Sequence, residues 1–259
     1  MRYAWWSKLR CRLAVVKLGG GVITVKSSPK TIDYESLEVA ASQLARFRLG
    51  GGLLVVVHGG GSFGHVEVAR IAREKGHLDS RDSSTVQKSM LELAVAVVEA
   101  LERRGLHPSL HPPHTLCMGS LVDTCNINII RRDLAEGLTP VTYGDAIPES
   151  GRVGIVSGDD LASWIAVSLK ADCLVYVIRE PGVLDEKGEV VPELASLDQL
   201  KVRGAEWEDV TGGIVRKVKM ALEASKKVDN VLVVGLEHLL KALEGERVGT
   251  RILCGGDMR

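Results

Sequence analysis

The stretch Leu13-Ala14-Val15-Val16-Lys17-Leu18-Gly19-Gly20-Gly21 runs an apolar segment straight into three consecutive glycines, with a lysine just before the turn. A short run of β-branched and aliphatic residues bounded by glycine predicts a buried strand. The glycines predict a turn in which the backbone can approach another group closely. The same order recurs at Leu53–Val57, which leads into His58-Gly59-Gly60-Gly61-Ser62-Phe63-Gly64-His65. A third cluster, Thr211-Gly212-Gly213, opens a helix that carries Lys217. Singly, each is an ordinary strand–helix turn. Together, with lysines in line at two of them, they point to a phosphate-rich ligand, because glycine turns and helix N-termini aim unpaired N–H groups at anions. The pattern G-x-x-x-x-G-K-[ST] is absent, which excludes the common P-loop arrangement.

Outward from these turns, the chain alternates short apolar runs with longer helical patterns. Leu13–Leu18, Leu53–Val57, Leu174–Ile178 and Val231–Val234 predict strands, while Ser36–Arg48, Val86–Arg103, Leu161–Lys170 and Ile214–Lys226 predict helices. This alternation predicts an α/β fold, a mostly parallel sheet with helices on both faces. The segment from His107 to Asp145 is less regular and rich in Pro and His. A soft boundary near Tyr143–Gly151 divides the chain into an N-terminal lobe, 1–145, and a C-terminal lobe, 146–259.

Composition narrows the function classes. The chain has 259 residues, 45% hydrophobic and 25% charged, with 33 basic and 33 acidic residues. That balance argues against wholesale binding to nucleic acid or a membrane surface. No apolar run approaches the roughly 20 residues of a membrane helix, and Met1–Arg12, with Trp5 and Trp6 among basic residues, lacks the apolar core of a signal peptide. Cys11, Cys117, Cys125, Cys173 and Cys254 are odd in number and form no C-x-x-C pair. They predict a reducing, cytoplasmic setting and no zinc site. His107, His111 and His114 lack metal-ligand spacing and predict a loop or strand edge.

Gly59, Gly61 and Gly64 also fit the dinucleotide pattern G-x-G-x-x-G, with Asp82 downstream. That reading leaves the other two glycine clusters unexplained. A different match accounts for all of them. Lys17-Leu18-Gly19-Gly20, the loop His58–His65, Ser157-Gly158-Asp159-Asp160 and Asp209-Val210-Thr211-Gly212-Gly213 with Lys217 occur in the order seen in amino acid kinases. The loop ending in His65, with S-G-D-D and D-V-T-G-G, resembles the isopentenyl phosphate kinase branch of that family. The likeness runs from Lys17 to the tail 245–252. It implies an open three-layer αβα sandwich, a homodimer, and transfer of a phosphoryl group from ATP, with Mg²⁺, to isopentenyl phosphate. The acceptor would lie on the N-terminal lobe and the nucleotide on the C-terminal one.

The chemistry suits the residues. A phosphate monoester has a second pKa of about 6, so its attacking oxygen is already negative at neutral pH and needs no general base. Two polyanions must be neutralised, which calls for fixed cations and N–H groups. The resemblance implies that Lys17, Lys26 and Lys217 supply the cations and that Asp159 organises them. It implies phosphate contacts from Gly19, Gly20, Gly21, Gly61 and Gly213, and acceptor contacts from Gly60, Gly158 and His65. Ser157 and Asp160 also form an S-x-x-D capping pattern ahead of the helix at Leu161, while His58 is expected to hold its turn. Val86, Met90 and Leu93 share a helix face that serves as core or as a pocket for the prenyl tail.

Two places depart from the family. Gly21 stands where the first loop usually has serine. Ile178-Arg179-Glu180-Pro181-Gly182-Val183 replaces a T-D-V-D-G-V segment, so Arg179 reverses a charge near the nucleotide and Pro181 removes an N–H. The readings left open are a kinase of the same fold for another phosphate, phosphonate or carboxylate, such as fosfomycin or acetylglutamate, and a nucleotide-binding sensor without turnover.

Overall fold

A computed structural model describes residues 10–200 and 211–254. The Trp5–Trp6 segment and Asp209–Val210 lie outside the described residues. The strands are β1 (Leu13–Leu18), β2 (Leu53–His58), β3 (Pro108–Leu110), β4 (Thr139–Tyr143), β5 (Asp145–Glu149), β6 (Arg152–Val156), β7 (Cys173–Ile178), β8 (Glu193–Leu194), β9 (Asn230–Gly235) and β10 (Thr250–Ile252). The helices are α1 (Gly20–Ile23), α2 (Tyr34–Leu49), α3 (Gly61–Lys75), α4 (Asp82–Arg103), α5 (Pro113–Leu116), α6 (Ile127–Ala135), α7 (Gly158–Leu169), α8 (Thr211–Ser225) and α9 (Leu239–Leu243).

Eight strands form one sheet in the order β3-β4-β2-β1-β7-β9-β10-β8. It is parallel from β3 to β9, and β10 runs antiparallel to β9. β5 and β6 form a separate antiparallel hairpin. The central strands are apolar except at their ends, where Lys17, His58 and Asn230 stand, because both sheet faces are covered. Ala14, Val16 and Leu18 pack with Leu44 of α2 and Leu93 of α4, whereas Val15, Val55 and Tyr176 pack with Leu161 and Ile165 of α7 and Val218 of α8. Helix, sheet and helix therefore make three layers, as the sequence predicts.

The middle segment is more regular than expected. It holds β3, α5, α6 and β4, with Asn126 capping α6 by accepting from the Asn128 N–H at 3.1 Å. His111 Nε2 lies 2.8 Å from Asp133 Oδ2, and His114 Nδ1 lies 2.8 Å from Asp145 Oδ2.

The cysteine expectation needs correction. Cys11 is bonded to Cys173 and Cys117 to Cys125, leaving Cys254 free. Neither pair had a sequence signature: the first joins residues 162 apart, brought together because β1 and β7 are neighbours. Disulfides occur inside cells chiefly in hyperthermophiles, so cysteine usage does not establish a reducing compartment. The Cys11–Cys173 bond closes a long loop, and reduction or Cys11→Ala should each lower unfolding stability by about 2–4 kcal/mol. Denaturation with and without reductant checks this, and Cys11→Ala should abolish most of the reductant effect.

Candidate active site

Lys17 is placed by strand parity. It shares the β1 face of Val15, and its register partners are Val57 of β2 and Tyr176 of β7. That face looks toward α7 and α8, at the C-terminal end of the strand, where the sheet's strand order reverses between β2 and β7. Ligands of open α/β sheets bind at such switch points.

Asp159, near the start of α7, meets two lysines there. Its Oδ1 lies 2.7 Å from Lys17 Nζ, and both carboxylate oxygens accept from Lys217 Nζ at 2.9 Å. All three side chains are largely buried. Burial alone would raise the Asp159 pKa, but Lys17 and Lys217 outweigh it and hold the carboxyl well below its usual range. Burial, reinforced by the charge of Lys17, brings Lys217 down to about 8 against the opposing pull of Asp159. The Lys217 ammonium also sits 5.2 Å from the Tyr176 ring centroid, a cation–π contact.

Two cavities meet at this cluster. One, about 420 Å³, is lined by Lys17, Gly60, Gly158 and Asp159, with Val68, Val86, Met90 and Ile155 as an apolar wall. The other, about 490 Å³, is lined by Lys17, Lys26, Lys217, Gly19, Gly20 and Gly21, with Val22, Val183, Leu184 and Ile214 also on its surface. Lys17, Asp159 and Gly213 border both. A polyanion with an apolar base fits the donor set of the larger cavity.

The structure gives several of the predicted residues packing and hydrogen-bonding partners of their own. The first two glycine turns press against each other: a Cβ on Gly20 would lie 2.1 Å from the Gly61 nitrogen, and Gly61 has φ +48. Gly61 does not line either cavity and forms part of this backbone seam. Asp160 does not cap α7: Ser157 does so alone, accepting from the Asp159 N–H at 3.2 Å, while Asp160 bridges Arg216 at 2.8 Å. His58 is fully buried, stacked on Tyr143 at 5.0 Å between centroids, and burial lowers its pKa to about 4. Its carbonyl accepts from the Gly144 N–H at 3.2 Å, linking the ends of β2 and β4, and its Nδ1 lies 3.2 Å from the Gly59 carbonyl at the start of the turn. Val86 and Met90 reach the cavity wall, whereas Leu93 is core. The backbone of His65 lies in α3, and its side chain is outside the described residues.

Three residues at the site, Thr24, Arg216 and Tyr176, were not singled out from the sequence, and Arg179 was singled out there only as a reversed charge. Thr24 Oγ1 donates to the Gly20 carbonyl at 2.7 Å and accepts from the Ser62 N–H at 3.0 Å, tying the two turns together. Arg179 and Arg216 line the larger and smaller cavity respectively, and Tyr176 backs Lys217. Parity along β7 could have found Tyr176, and the step from Lys217 to its neighbour could have found Arg216. Nothing in the sequence marks Thr24.

Residues 12–235 match the model of the amino acid kinase family. The chain belongs to the amino acid kinase family. Within that family it is 37% identical to the isopentenyl phosphate kinase of Haloferax volcanii, over 93% of this chain and 98% of the relative. It is 32% identical to the isopentenyl phosphate kinase of Methanothermobacter thermautotrophicus, over 93% and 98% of the two chains. The crystal structure of the T. acidophilum isopentenyl phosphate kinase product complex superposes with a TM-score of 0.75 at 26% identity, covering 93% of this chain and 99% of that one. The branch as well as the family agrees with the resemblance read from the motifs.

The lowered Lys217 pKa sets a pH dependence. A lysine near 8 loses its charge as pH rises through that value, so kcat/KM for ATP should fall above about pH 8. Lys217→Arg, which stays charged, should move the descending limb upward by at least one pH unit in a pH–rate profile, whatever it does to the plateau.

Proposed function

We propose that this chain transfers the γ-phosphoryl group of ATP to isopentenyl phosphate, giving isopentenyl diphosphate for isoprenoid biosynthesis. The observation that carries this reading is the Asp159-bridged pair Lys17 and Lys217, standing where a cavity with an apolar wall meets a second, lysine-rich one. The smaller cavity suits a phosphate joined to a short apolar tail, and the larger suits a nucleotide. Residues 1–145 would then carry most of the acceptor side and 146–259 most of the nucleotide side, although Lys17 and Asp159 serve both.

The residues divide the work as follows. Lys17 and Lys217 offset the mutual repulsion of the two polyanions and the charge spread over the transferred group. Asp159 keeps both lysines aimed at the junction. It cannot act as a base: both oxygens are occupied and its pKa is depressed. The acceptor phosphate brings its own negative oxygen. Lys26, exposed at the rim of the larger cavity, adds a cation that closes on the γ-phosphate. Mg²⁺ would supply further charge neutralisation, held mainly by the nucleotide's phosphates and water. His65 follows the second turn and would bind the acceptor phosphate.

A homodimer is supported by exposed Val39 on α2 and exposed Leu91 and Val95 on α4, an apolar surface suited to a second copy. Among the described residues no helix is long and apolar enough to cross a membrane, and we place the enzyme in the cytoplasm.

Steady-state assays comparing isopentenyl phosphate with fosfomycin, acetylglutamate and other small acceptors test the substrate. Isopentenyl phosphate should give the highest kcat/KM, and a poorer rank than acetylglutamate would overturn the assignment. In the same assay Lys26→Ala should lower kcat by about 10²- to 10³-fold with little change in substrate KM. His65→Ala should instead raise the acceptor KM by about 10- to 100-fold, the loss of one hydrogen bond to a charged group.

A further inference from the structure

Arg179 directly follows β7 and turns back toward the site. Its Nε donates to the Gly21 carbonyl, and its Nη2 donates to the Thr24 carbonyl at 3.0 Å. These carbonyls lie at and just beyond the last turn of α1, where helical carbonyls lack internal partners. An aspartate at this position would face two carbonyl oxygens with a group that can only accept. The reversed charge is therefore matched to what surrounds it.

Thr24 leads directly into the turn that carries Lys26. That turn is closed by the Val25 N–H donating to the Thr31 carbonyl at 2.9 Å and the Ser28 N–H donating to the Val25 carbonyl at 3.2 Å. A further bond from the Lys30 N–H to the Ser62 carbonyl, at 3.1 Å, attaches it to the second glycine turn. On the other side, the Gly19 N–H donates to the Val177 carbonyl at 3.0 Å. The strand end of β7 thus grips the segment 19–24 at three points, two of them through Arg179.

The second departure from the family lies inside this grip. A Cβ on Gly21 would fall 2.8 Å from Lys26 Cε and 3.8 Å from Arg179 Nε. Glycine leaves the space in which the Lys26 chain folds back over the turn. Gly21 and Arg179 are two halves of one arrangement: one removes the side chain that would displace Lys26, and the other holds the backbone from which Lys26 projects.

We propose that Arg179 is a positioning residue for phosphoryl transfer, which together with Gly21 fixes Lys26 over the nucleotide cavity. This rests on the kinase reading for its catalytic consequence, but its structural part stands alone. A positioning role predicts a loss in kcat that depends on Lys26.

The test combines kinetics with hydrogen exchange. Arg179→Gln should lower kcat at least tenfold, leave the acceptor KM within about twofold, and leave Tm nearly unchanged. Arg179→Lys, which keeps charge but loses the two-pronged donor, should recover only part of the rate. In a Lys26→Ala background Arg179→Gln should cost little more, since both changes remove the same contribution. Gly21→Ser should mimic Arg179→Gln in kcat. Independently of turnover, Arg179→Gln should accelerate amide exchange at Val25, Ser28 and Lys30. Full additivity of Arg179→Gln and Lys26→Ala, or unchanged kcat in Arg179→Gln, would overturn the proposal. If the unmodified protein phosphorylated no acceptor, the kinase reading would fall; unchanged exchange at residues 25–30 in Arg179→Gln would then overturn the positioning role separately.

Discussion

The site depends on one buried carboxylate shared by two buried ammonium groups. Asp159 lets Lys17 and Lys217 stand close together out of bulk water, which two like charges would otherwise resist. The cluster carries one net positive charge. It is a standing attraction for phosphate, kept in register by three separate elements: β1, α7 and α8. Because the cations are already desolvated and aimed, little reorganisation is needed when charge shifts toward the transition state. The same burial that preorganises Lys217 also lowers its pKa, so its strength as a cation and its range of working pH are set by one cause.

The backbone around this cluster is built by close approach. Gly20 and Gly61 allow two turns from adjacent strands to touch, and Thr24 stitches them through its hydroxyl. Gly158 brings α7 against the end of β2, where an added Cβ would lie 3.0 Å from the His58 carbonyl and 3.2 Å from Lys17 Cε. Some glycines in these turns thus serve the fold and others the ligand. Gly21 and Gly213 meet no backbone of another turn and open on the cavities.

Much of this was legible in the sequence, and the reasons are physical. Strands β1, β2, β7 and β9 are built on apolar runs because both of their faces are covered, and such runs bounded by glycine or polar residues stand out in a single sequence. Lys17 was visible because it adjoins a glycine turn, and Asp159 and Lys217 through the motifs that carry the family resemblance. Helix α6 and strand β4 were not: α6 is only nine residues long and lies in a Pro- and His-rich stretch, and Pro140 breaks the strand pattern of β4. The disulfides and the roles of Asp160, Arg179 and Thr24 depend on contacts across long separations, such as the 155 residues between Arg179 and Thr24. No local pattern encodes these. Gly61 shows the converse, since a motif can be recognised while a structural demand on one of its residues, here the close approach to Gly20, is not.

The central claim is that the Lys17–Asp159–Lys217 cluster is the junction at which the two substrates meet. A crystal structure with a non-hydrolysable ATP analogue and isopentenyl phosphate tests it most directly. The account predicts the nucleotide's β- and γ-phosphates in the larger cavity and the acceptor phosphate in the smaller one. Lys17 and Lys217 should lie about 3 Å from phosphate oxygens, with Asp159 still bound to both lysines. An acceptor phosphate bound away from this cluster, or Asp159 turned from the lysines toward the acceptor oxygen as a base would be, would contradict it.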